Sequence, residues 1–159
     1  MSADVPVMLN SGDALLSQAV ASVAEGVGRT GAKAVLLKAG QPLPPCSGVI
    51  LGLKGFDQAF LKQLSLNGLK IAILLVHAGK GKAELVEITR LLQDDGAKVE
   101  NTLLLAPAGF LLKALGRGTL SESDLVRAAG FGERSANAFA GVKISRKSEK
   151  DRISGYKKD

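Results

Sequence analysis

Leu69-Lys70-Ile71-Ala72-Ile73-Leu74-Leu75-Val76 holds the most apolar run of the chain, and His77-Ala78-Gly79-Lys80-Gly81-Lys82 follows it directly. A run this short and this continuous reads as a strand covered on both faces. The glycine-rich stretch after it reads as a flexible loop. Ala83 to Asp94 then places Leu85, Val86, Ile88, Leu91 and Leu92 at helical spacing. Gly96 ends that helix, and Lys98 to Leu105 reads as a further strand. Strand, loop, helix and strand in this order form a unit whose two strands run parallel.

The same alternation extends towards the N-terminus. Val5 to Leu9 is a short apolar strand, broken by Asn10, Ser11, Gly12 and Asp13. Ala14 to Arg29 is a helix whose Leu15, Leu16, Ala19, Val20, Val23 and Val27 share one face. Gly31 stops it, and Ala34 to Leu37 is the next strand. Gly40-Gln41-Pro42-Leu43-Pro44-Pro45 excludes regular structure, because its prolines remove donors and fix the backbone. Gly48 to Leu53 is a third strand, and Gly55 breaks it. Asp57 caps a short helix carrying Phe60, Leu61 and Leu64, and Asn67-Gly68 is a turn.

Beyond the fifth strand, Phe110 to Leu115 is a short segment. Ser121 and Asp124 resemble a capping box that opens a last helix to Ala140, against which Gly130 and Gly132 count. Strands and helices in alternation predict a three-layer α/β/α sandwich around a five-stranded parallel sheet. Such sheets bind ligands at the carboxyl ends of their strands. The loops expected there are Asn10–Asp13, Lys54–Phe56 and His77–Lys82.

The chain has 159 residues, a net charge of +6 and one cysteine. One cysteine excludes an internal disulfide, and no stretch reaches the roughly 18 to 20 apolar residues of a membrane span. Met1 to Leu9 has no basic stretch followed by an apolar run, so it is not a secretory signal. These features predict a cytoplasmic protein. The charge is uneven. Lys143 to Asp159 has seven cations and three anions, which is +4 of the total. The chain therefore divides into a near-neutral domain, residues 1–142, and a flexible basic tail, residues 143–159. The tail reads either as a docking element for an acidic partner, nucleic acid or an anionic membrane, or as a merely solvated end. It lacks the aromatic interleaving of a single-strand nucleic-acid groove, so nucleic acid ranks below protein as a partner.

The element order resembles the flavodoxin family over about Val5 to Ala140. The resemblance rests on the first-strand loop and on Val49-Ile50-Leu51-Gly52 ending the third strand. It rests also on Phe60-Leu61-Lys62-Gln63-Leu64 before Leu69-Lys70-Ile71-Ala72-Ile73, and on Leu85 to Asp95 leading into Gly96-Ala97-Lys98-Val99. It implies strand order 2-1-3-4-5, FMN as cofactor and a role in electron transport with a protein redox partner or as a complex subunit.

The family holds the FMN phosphate in a loop of the form Ser/Thr-x-Thr-Gly-Asn-Thr, and the matching segment is Leu9-Asn10-Ser11-Gly12-Asp13-Ala14. Ser11 and Gly12 fit that form. Leu9 and Ala14 lack the hydroxyls, and Asp13 puts a carboxylate beside the phosphate position. Ser11 and Asp13 read equally well as caps of the first helix. In Gly52-Leu53-Lys54-Gly55-Phe56, Phe56 falls where the family carries an aromatic wall for the flavin ring, although a Phe near Phe60 also reads as core.

His77, Ala78, Gly79, Lys80 and Gly81 fall where the family meets the ring edge. The glycines permit close approach there, Lys80 or Lys82 would neutralise a reduced flavin, and His77 would donate near the ring or serve as surface. The alternative implied by the departures is a flavodoxin-like domain that has lost FMN and docks as a scaffold subunit through its basic tail. One histidine and one cysteine cannot build the usual metal site. Cys46 lies at the amino end of the third strand, away from the crevice, and reads as an inert thiol. No catalytic acid/base pair is apparent.

Overall fold

The computed structural model describes residues 4–38, 40–44, 46–55, 57–64, 66–76, 81–105 and 120–141. Phe56, His77–Lys80, the segment Phe110–Leu115 and the tail 143–159 lie outside the described residues. Within them the chain runs β1 (Asp4–Leu9), α1 (Ala14–Gly28), β2 (Lys33–Lys38), β3 (Gly48–Lys54), α2 (Gln58–Lys62), β4 (Lys70–Val76), α3 (Gly81–Asp94), β5 (Lys98–Leu105) and α4 (Glu122–Phe139). The helix after β4 starts earlier than its spacing predicts, because Gly81 and Lys82 belong to α3 and not to the loop.

The five strands form one sheet in the order β2-β1-β3-β4-β5, parallel throughout. This is the order that the resemblance implies. Strand β4 lies between β3 and β5, with Leu51 opposite Ile73 and Leu74 opposite Leu103. Its residues Ile71 to Val76 are all fully buried, which is why they alternate so little in polarity. Burying each such large apolar side chain contributes roughly 1.5–3 kcal/mol.

Alternate residues of the sheet build two cores. Val7, Ile50, Ala72, Leu74 and Leu105 meet Leu16, Val20 and Val23 of α1 and Phe131 and Phe139 of α4. Met8, Leu51, Leu53, Ile71, Ile73 and Leu75 meet Phe60 and Leu61 of α2 and Ile88 and Leu92 of α3. The two cores make the sandwich three layers deep, as predicted.

The two layers are built differently. On the α1/α4 side the helices nearly touch. A Cβ added at Gly26 would stand 1.8 Å from the Ala129 carbonyl oxygen, and one at Gly132 would stand 2.1 Å from the Val23 carbonyl oxygen. Gly132, which counts against a helix by propensity, is what lets α4 pack there. On the α2/α3 side, no helix spans the described residues between β2 and β3. Leu43 of the proline-rich stretch and Cys46 after it pack on that core instead. A cavity of about 430 Å³ remains beside it, lined by Met8, Leu43, Phe60 and Leu64 among others.

Strand β2 is an edge. Leu36 is 55% exposed, and lysines at both ends discourage pairing with another chain. The last turn of α4 is tied to the amino ends of β3 and β4. The Ser47 hydroxyl donates to the Phe139 carbonyl at 3.0 Å, and the Lys70 Nζ donates to the Ala138 carbonyl at 3.1 Å.

Candidate functional site

Because β1 sits beside β3, the loops that follow these two strands meet at the carboxyl edge of the sheet. Asn10 joins them. Its backbone N–H donates to the Gly52 carbonyl at 3.2 Å. Its side-chain Oδ1 accepts from the Lys54 N–H at 2.9 Å, and its Nδ2 donates to Asp57 Oδ2 at 3.3 Å. Asp57 meanwhile caps α2 by accepting from the Phe60 N–H at 3.0 Å. Its capping role is readable from sequence, but its bond to Asn10 is not, since only the strand order brings the two loops together. Gly55, next to Lys54, has φ +78, the left-handed region that favours glycine.

The start of α1 is the centre of the candidate site. Four backbone N–H groups at a helix start lack partners within the helix. They and the helix dipole together attract anions. Here the anion is the chain's own. Asp13 is the N-cap, and its Oδ2 accepts from the Leu15 N–H at 3.0 Å and the Leu16 N–H at 3.1 Å. The Ser11 Oγ accepts from the Asp13 N–H at 3.1 Å. Lys54 reaches over from the end of β3 and places its Nζ 3.6 Å from Asp13 Oδ2, with the two side chains 34% and 30% exposed. Gly12 and Ala14 are exposed at the rim of this arrangement.

The predicted site residues thus separate. Asn10, Ser11, Asp13, Lys54 and Gly55 come together, with Gly12 and Ala14 beside them. Gly81 is the buried first residue of α3, where an added Cβ would stand 2.7 Å from Leu104 Cδ1. Cys46 packs near the amino end of β3, as expected, and partial burial pushes its thiol pKa up. Among the described residues no group of three or more His, Cys, Asp or Glu side chains could hold a metal ion, and no helix is long and apolar enough to cross a membrane.

The residues of the β1–α1 loop do not fit the phosphate of FMN. The N–H groups of Leu15 and Leu16 point at the Asp13 carboxylate, and Lys54 is paired with it. Two like unit charges about 4 Å apart repel by roughly 4 kcal/mol at an effective dielectric of 20. A phosphate dianion brought beside Asp13 meets that repulsion and displaces two helix-start hydrogen bonds. Phe56 and His77–Lys80, which the resemblance assigns to the flavin ring, are outside the described residues.

No family model matches the chain, and no curated protein sequence matches it. Solved structures do. An archaeal flavodoxin is similar over 86% of this chain and 99% of its own, at 12% identity and TM-score 0.62. The two-electron reduced flavodoxin of Megasphaera elsdenii is similar over 84% of this chain and 98% of its own, at 15% identity and TM-score 0.61. The flavodiiron protein of Giardia intestinalis is similar over 86% of this chain and 36% of its own, at 15% identity and TM-score 0.60. With five parallel strands in the order β2-β1-β3-β4-β5, and α1 and α4 facing α2 and α3 across them, the chain has the flavodoxin-like fold.

Proposed function

We propose that the chain is a flavodoxin-like interaction subunit that works without FMN and docks through its basic C-terminal segment. One observation carries this reading. The Asp13 carboxylate takes the helix-start hydrogen bonds and the lysine that a bound phosphate would need. The docking element is Lys143–Asp159, whose charge of +4 suits an acidic protein surface. Two measurements test the reading. On this reading the purified protein is expected to be colourless, and FMN should leave its melting temperature unchanged. Deleting 143–159 should abolish salt-sensitive retention on a poly-glutamate matrix and leave the melting temperature nearly unchanged. Flavin in the purified protein, or unfolding of the truncated chain, contradicts it.

A second reading keeps FMN and makes the chain an electron carrier. The likeness to flavodoxins over most of the chain supports it, as does the meeting of the β1 and β3 loops at the carboxyl edge. When bound, FMN would supply the electron chemistry, and the protein would supply position and electrostatics. Absorbance bands near about 370 and about 450 nm, on the order of one FMN per chain, would decide for it.

A further inference from the structure

We propose that the Asp13 carboxylate is the resident anion of the β1–α1 loop and bars phosphate-bearing ligands from the carboxyl edge. The proposal deepens the FMN-free reading and rests on the same loop, but the two can fail separately.

Capping alone does not require a charge at this position. Asn and Asp are nearly equal N-caps, so a neutral residue of the same shape would hold the start of α1 almost as well. The charge changes what the loop can admit. Asp13 Oδ2 lies within hydrogen-bond distance of both the Leu15 and Leu16 N–H groups, at 3.0 and 3.1 Å. These donors and the positive end of the helix dipole are what an anion at a helix start uses.

A second observation comes from a different strand. Lys54, at the end of β3, brings its Nζ to 3.6 Å from the same oxygen. The Asn10 side chain holds that strand end in place through the Lys54 N–H. The loop therefore contains an anion, the N–H groups that bind it and a lysine that balances it. Asp13 and Lys54 balance each other, and the Asp57 carboxylate, hydrogen-bonded to Asn10, leaves the cluster with one negative charge in excess. Replacing Asp13 by Asn removes one negative charge, leaves Lys54 without its counter-charge, and keeps the donors in place.

The experiment uses the full chain and inorganic phosphate as the probe, with chloride at matched ionic strength as the control. Melting temperature is followed for wild type, Asp13→Asn, Asp13→Ser and the double variant Asp13→Asn/Lys54→Gln. Wild type shows no phosphate-specific rise. Asp13→Asn and Asp13→Ser show one, with apparent phosphate affinity at least about tenfold above wild type, equivalent to about 1.4 kcal/mol. The double variant loses that gain. A phosphate-specific rise in wild type that matches or exceeds the single variants overturns the proposal, and so does its absence from both single variants.

Ligand identity separates the two claims. Riboflavin extracted from the purified protein refutes the FMN-free docking reading but agrees with phosphate exclusion. FMN extracted at one per chain refutes both.

Discussion

Helix α1 meets the rest of the molecule in two ways, and the contrast separates fold from site. At Gly26 its backbone lies so near α4 that an added Cβ would stand 1.8 Å from the Ala129 carbonyl oxygen. At Asp13 the same helix begins in a half-exposed loop, capped by its own carboxylate and paired with Lys54. The first region is held by backbone against backbone, which leaves no room for a larger residue. The second is held by hydrogen bonds and one ion pair, which other polar residues could replace. The architecture can therefore remain flavodoxin-like while the loop at its carboxyl edge changes what it admits.

The largest effect should come from the packed region. Helix propensity alone favours Ala over Gly by about 1 kcal/mol. At Gly26 the clash with the Ala129 carbonyl should outweigh it, and Gly26→Ala should destabilise the chain by about 2–3 kcal/mol. For a domain of this size that lowers the melting temperature by roughly 5–10 °C. Gly132→Ala should behave alike, since its Cβ meets the Val23 carbonyl oxygen. A neutral or stabilising result at both positions would mean that α1 and α4 can part without loss.

The loop should respond less. Asp13→Ala removes the cap from the Leu15 and Leu16 N–H groups and should cost about 1 kcal/mol in a denaturant titration. Asp13→Asn keeps a cap and should cost only a few tenths. A loss above about 2 kcal/mol for Asp13→Asn would tie the charge to stability and weaken its role in ligand exclusion. Lys54→Gln should change stability by less still, about 0.5 kcal/mol or under, because both partners of the pair are about one-third exposed. That small effect should shrink further at high salt.

The smallest effect concerns Cys46. Its folded thiol pKa lies above the ordinary value because burial disfavours the thiolate. The protonated form is favoured in the fold, so its contribution is present below the unfolded pKa and falls away as pH rises through the folded one. Alkylation should therefore be slower in the folded protein than in urea at every pH below the folded pKa. Equal rates would show a freely exposed thiol.

The contrast also explains what the sequence reveals. The sheet was legible because burial on both faces leaves an apolar run such as Ile71 to Val76, and because glycines end helices where φ turns positive, as at Gly31 and Gly96. The caps of Asp13, Asp57 and Ser121 were legible because capping is local chemistry. Gly132 was misleading by propensity, since its reason lies on another helix. The staple from Asn10 to Asp57, the reach of Lys54 to Asp13, and the cavity beside Met8 were not legible. Each joins residues that only the strand order brings together. The loop Leu9–Ala14 suggested phosphate binding and helix capping equally, and geometry weighs on the side of capping.

The most direct test of the central claim is a thermal-shift titration of the 159-residue chain with FMN, paired with its visible spectrum as purified. If Asp13 fills the anion position and the chain works without FMN, the preparation is colourless and millimolar FMN leaves the melting temperature unmoved. A yellow preparation with one FMN per chain, or an FMN-dependent rise of several degrees, would contradict it.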